Sequence, residues 1–131
     1  MSPRALWPVF DAQLPRDLWK GGLAISGIYD LRPMVEVDWL NPDLRLDEDQ
    51  ALKVSPAFLP PATRAPLMTC VGGDESSEFK RQNALLRDHW RGAVSSDLPM
   101  PGKNHFSVLD GLATPASALF AGARRLMQLD R

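Results

Sequence analysis

Cysteine, histidine and net charge are all scarce in this chain, and each scarcity removes a class of function. A single cysteine, Cys70, in 131 residues excludes an intrachain disulfide and fits a reducing cytoplasm. That cysteine and the two histidines show no C-x-x-C or H-x-x-x-H spacing, so neither a metal nor another cofactor is expected. Fifteen basic residues against sixteen acidic ones leave a net charge of −1, and no basic run is longer than two residues, as at Arg124-Arg125. No electrostatic footprint for nucleic acid or an anionic membrane follows from that balance. No apolar run approaches bilayer-spanning length, and Met1–Pro8 lacks the continuous apolar stretch of a signal peptide. What remains is 44% apolar and 24% charged, the balance of a globular domain able to bury a core.

Twelve prolines fall between the apolar runs and punctuate them. Residues 1–20, with Pro3, Pro8 and Pro15, read as a lead-in holding at most one short helix. Leu23–Gly27 is a glycine-bounded apolar run suited to a strand covered on both faces. Residues 28–46 read as irregular, with one or two helical turns over Met34–Leu40. Asp47-Glu48-Asp49-Gln50 places acids where a helix macrodipole favours them, and that helix must stop near Ser55 because Pro56 follows. Leu67–Val71 reads as a second buried strand. Ser76 is placed to cap a helix carrying Phe79, Leu86 and Trp90 on one stripe, with Gly92 at its end. Ala93–Leu98 reads as a third strand, diluted by Ser95, Ser96 and Asp97. A terminal helix is expected over Ala116–Leu129, with Leu119, Phe120, Ala123, Leu126 and Met127 on its apolar face. Strands alternating with helices imply crossovers and an α/β fold of about three parallel strands.

Ligands and reactive groups of open parallel sheets collect at the carboxyl ends of strands. Two segments stand there: Val71-Gly72-Gly73-Asp74-Glu75 and Gly102-Lys103-Asn104-His105-Phe106. A general base needs a reachable ring held by an acid, and the loop supplies the reach to His105. Phe106 is expected to anchor that turn in the core. Asp74 and Glu75 compete to orient the ring, while Glu78, one turn into the helix, suits a capping arrangement. His89 reads as a partner of its helix's C-terminal dipole, and Cys70, flanked by apolar neighbours, as core.

A nucleophile to match is missing. None of the nine serines has glycine both two residues before and two after; Ser26 has Ala24 and Ile28 there. No H-G-G loop offers oxyanion donors, and Gly72-Gly73 runs into acids that repel a developing oxyanion.

Acid before histidine is nevertheless the second half of the α/β-hydrolase order. Over residues 17–112 the chain resembles the C-terminal half of the arylformamidase (kynurenine formamidase) group of that fold. Four segments carry the resemblance: Gly22–Pro33 (GLAISGIYDLRP), Ser55-Pro56, Val71–Gln82 (VGGDESSEFKRQ) and Asn104-His105-Phe106. It implies a single partial α/β-hydrolase domain over residues 1–131, with 1–20 as lead-in and 21–131 as the family-like C-terminal half, and with His105 as base. Two residues separate Gly72 from the triad acid in the family pattern, which points to Glu75. Aspartate is common at that place, so Asp74 stays an alternative. In the family these groups assist a serine that attacks a formamide or ester carbonyl. A truncated hydrolase, inactive alone and prone to self-association, is therefore expected. Completed by an N-terminal half, it would take a small acyl or formyl aryl substrate. Other readings are one chain of a split hydrolase, or a non-catalytic interaction protein pairing through an exposed sheet edge.

Overall fold

The computed structural model describes residues 15, 18–61 and 64–129, so most of the expected lead-in over 1–20 lies outside the described residues. Three parallel strands form one sheet in the order β1-β2-β3: β1 Gly22–Ile25, β2 Leu67–Gly72 and β3 Val94–Met100. The central strand is almost wholly buried, as an apolar strand covered on both faces must be. Side chains alternate across a strand, so Leu67 packs with Leu86, Trp90 and Tyr29 on one face. Cys70 packs with Met100, Val108 and Leu119 on the other.

The crossover from β1 to β2 is built of short pieces: a 3-10 turn at Arg32–Glu36, helix α1 Asn41–Leu44, helix α2 Glu48–Lys53 and a 3-10 turn at Pro56–Phe58. Helix α2 starts where its acids cluster, behind a reciprocal cap of Asp47 and Gln50, and stops before Pro56. Helix α3, Ser77–His89, links β2 to β3 and is capped by Ser76. Leu86 and Trp90 of its expected stripe are buried, and the Trp90 indole donates to Leu59 O at 2.8 Å. Each such buried side chain contributes about 2 kcal/mol. Helix α3 ends at His89, three residues before Gly92, which has open space where a side chain would stand.

Strand β3 runs two residues beyond the expected end. A register shift beside Leu67/Met68 takes up one residue of β3, after which Asp97 turns toward α3. There its carboxylate accepts from Thr69 at 2.8 Å, Asn83 at 2.9 Å and Arg87 at 2.9 Å. The polar residues that weaken the strand pattern thus tie the sheet to its helix.

Helix α4, Ala118–Leu126, is shorter than expected at both ends. Ser117 caps its start, and Gln128 in the left-handed region (φ 58°) ends it with Schellman-type bonds from Gln128 N to Arg125 O and Leu129 N to Arg124 O. Its buried residues are Leu119 and Gly122, while Met127, expected on the apolar face, is exposed. Met127 stands past the last helical residue, as its C-cap, whereas at Gly122 a Cβ would stand 2.6 Å from Leu98, so the helix lies directly on the sheet there.

Candidate functional site

The strand ends and the loops beyond them are zipped together by backbone. Gly73 N donates to Met100 O at 2.9 Å, and Asp74 N donates to Lys103 O at 3.0 Å. A side chain at Gly72 would strike the Lys103 carbonyl, so glycine is needed for the two loops to approach. Within the second loop, Asn104 Oδ1 accepts from Phe106 N at 3.0 Å and Ser107 N at 2.9 Å. That local bond starts the 3-10 turn Ser107–Ala113 and sets the direction of the residue between them.

His105 is that residue. Its Nδ1 lies 2.9 Å from Glu75 Oε2. An ionised carboxylate only accepts, so Nδ1 carries the hydrogen and Nε2 of the neutral ring is a bare acceptor. The Glu75 side chain is fully out of solvent, whereas that of His105 is 46% exposed. Among the described residues no group hydrogen-bonds Nε2. Phe79, from the first turn of α3, stacks on the imidazole with centroids 4.3 Å apart and planes 28° apart.

The carboxylate is fully partnered. Glu75 Oε1 accepts from the Ser26 hydroxyl at 2.5 Å and from Gly72 N at 2.7 Å. Burial pushes the carboxyl pKa up, but the bonds from Ser26, Gly72 and His105 outweigh burial and hold it below its ordinary value. Glu75 is thus kept ionised beside the ring.

The other sequence candidates stand elsewhere. Asp74 is exposed, and among the described residues its carboxylate has no hydrogen bond or ion pair. Glu78 does not cap; it binds Arg81 at 2.7 Å and Gln82 at 2.8 Å, and the Arg81 guanidinium lowers its pKa. Phe106 does not anchor the turn, being 83% exposed beside the His105 ring. The anchor is Val108, two residues on and buried against Leu119. His89 Nδ1 donates to Leu85 O, 3.0 Å away, at the end of α3, and the ring meets Phe58 edge-on. Cys70 is core, and burial pushes its thiol up to about 12, which leaves it protonated and unreactive. No group of metal-ligating side chains occurs among the described residues.

Residues the sequence did not single out complete the scaffold. The Gln82 amide oxygen accepts from Tyr29 N at 2.9 Å and Asp30 N at 2.8 Å, and its nitrogen donates to Asp30 O at 2.8 Å. Asp30, buried, pairs with Arg32 at 2.9 Å and Arg81 at 3.2 Å, and the Arg32 bond lowers its carboxyl pKa despite burial. This polar network fastens the loop after β1 onto α3. The only sequence signal for it was the polar character of a helix position that packing places inside.

No protein-family model matches the chain. Kynurenine formamidase of Salmo salar is 29% identical over 71% of this chain, and that of Danio rerio is 27% identical over the same share. The chain spans 34% of the length of each, about a third of these curated relatives. A crystal structure of a candidate thioesterase from Silicibacter sp. superposes on 91% of this chain and 44% of its own, with a TM-score of 0.76 and 28% identity. The chain is a distant homologue of the kynurenine formamidases and shares its three-stranded parallel core with that hydrolase-like structure.

Proposed function

We propose that this chain carries the acid–base half of a serine hydrolase of the arylformamidase or esterase type. The observation that carries the reading is the Glu75–His105 pair, a buried ionised acid on Nδ1 and an open Nε2. A serine hydroxyl presented to Nε2 would give up its proton as its oxygen attacks a formamide or ester carbonyl. Glu75 stabilises the imidazolium that results, and His105 returns the proton to the departing amine or alcohol. The similarity to kynurenine formamidases supports an N-formyl-aryl amide or small aryl ester as substrate.

The sequence has no G-x-S-x-G elbow and no oxyanion loop, so the nucleophile must come from another polypeptide segment. Alone, the chain is inactive in this reading. Strand β1 pairs only with β2 among the described residues, leaving one edge for a completing strand. An apolar groove of about 220 Å³, lined by Trp19, Leu23, Tyr29, Leu67, Leu86 and Trp90 among others, runs beside that edge. The same edge favours a second reading, a non-catalytic protein that binds another chain by strand addition.

The test is complementation. The chain is fused to, or co-expressed with, an N-terminal segment of a kynurenine formamidase that bears its serine elbow. The product is assayed on N-formyl-aryl amides and aryl esters. Turnover that disappears in His105→Ala supports the hydrolase reading. A stable complex with no turnover supports the binding reading.

A further inference from the structure

We propose that Ser26 is a positioning residue for the acid, holding the Glu75 carboxylate in the plane from which it grips His105. The inference rests on the reading of Glu75 and His105 as the acid–base pair. Its evidence lies on the other side of the carboxylate, where the fold accepts a strained residue to place a hydroxyl.

Ser26 follows the last residue of β1 and is 8% exposed. Its backbone is left-handed, with φ 48°, a conformation that costs a non-glycine residue about 1 kcal/mol. Glycine would adopt it freely, and Gly27 is the next residue, so a turn alone gives no reason for serine. What serine adds is Oγ, which donates to Glu75 Oε1 at 2.5 Å. Ser26 N donates to Cys70 O at 2.9 Å, continuing the β1–β2 ladder, so Oγ is carried by the sheet rather than by a free loop. The donor is therefore as rigid as the strand pair.

The carboxylate needs that support. Its two oxygens receive three donors from three places: Ser26 after β1, Gly72 at the end of β2 and His105 after β3. The titratable groups facing it are His105 and, across the strand end, the Cys70 thiol. Without Ser26, Oε1 keeps one donor, a backbone N–H that fixes its distance but leaves the carboxylate free to rotate about that bond. Rotation withdraws Oε2 from Nδ1 and releases the ring from its productive tautomer. Ser26 itself is not a nucleophile, since its proton is committed to Glu75 and not to His105.

The test separates hydroxyl from backbone by two variants, Ser26→Gly and Ser26→Ala. Both remove Oγ, but glycine also relieves the left-handed strain, so its melting temperature is expected to fall less below the parent's than that of Ser26→Ala. The carboxyl resonance of Glu75 is followed by NMR against pH in the full chain labelled on its glutamate side chains. Only four glutamates are present, and Glu75→Gln identifies the signal. An upward shift of the Glu75 midpoint in both variants is expected. In the complemented enzyme, kcat falls on the order of tenfold with KM unchanged, the size of a hydrogen bond to a charged group. A Glu75 midpoint and a kcat that both stay at the parent's values in a folded Ser26→Gly overturn the proposal. A shifted midpoint in a complemented protein that never turns over keeps the positioning role of Ser26 and sinks the hydrolase reading instead.

Discussion

Phe79 lies against one face of His105, ring centroids 4.3 Å apart, so the imidazole is held between an aromatic plane and a buried carboxylate. Phe79 heads the apolar stripe of α3, but only Leu86 and Trp90 of that stripe reach the core. An aromatic contact contributes about 1 kcal/mol beyond area burial. In the complemented enzyme Phe79→Ala is expected to lower kcat several-fold, with Phe79→Tyr close to the parent. Equal activity of the alanine variant would show that Glu75 alone holds the ring.

The two acids of the first loop are expected to separate sharply. Glu75→Gln keeps the shape but loses the charge beside Nδ1, and should cost on the order of 10⁴ in kcat of the complemented enzyme. Asp74→Asn touches an exposed carboxylate and should stay within about threefold, the scale of a surface substitution. The opposite ranking would transfer the role to Asp74.

The isolated chain is expected to show no hydrolysis of N-formyl-aryl amides or activated aryl esters above a His105→Ala control. If another segment supplies the nucleophile and the oxyanion donors, as proposed, even the residual catalysis of a damaged triad is lost from this chain alone. A rate above that control would point to an unrecognised nucleophile.

Acid should weaken the fold in part through Glu75. Its folded pKa lies below the unfolded value, so it binds its proton less readily in the fold. The stability this confers is present above the unfolded value, about 4.5, and is lost as pH falls through the lowered folded one. Melting temperatures of the parent and of Glu75→Gln, measured from pH 7 to pH 2.5, should converge as pH falls. A constant gap would mean that Glu75 stabilises the fold by packing and not by its charge.

The free edge of β1 should make the isolated chain self-associate. Among the described residues its outer donors and acceptors meet no further strand, and they lie beside the apolar groove, with Leu18 and Trp19 exposed just before the strand. Sedimentation velocity should show concentration-dependent association that the complementing segment suppresses. A monodisperse monomer at every concentration would contradict this.

The sequence by itself determined what depends on neighbours along the chain. The apolar runs of β1 and β2, the acid-rich helix start at Asp47–Gln50, Ser76 before α3 and the order of acid loop and histidine loop are all local patterns, legible because helix and strand periods are short. Tertiary structure decided which groups meet through space. Glu75 and His105 are 30 residues apart, Ser26 and Glu75 are 49, and Gln82 and Tyr29 are 53. No periodicity links such separations. Whether Asp74 or Glu75 faces the ring turns on a single residue's phase in a tight loop, and the contact of that loop with Lys103 sets the phase. Phe106, expected to anchor its turn, is exposed for the same reason: apolar character says a side chain gains by burial, but only the packed loops determine whether there is room for it.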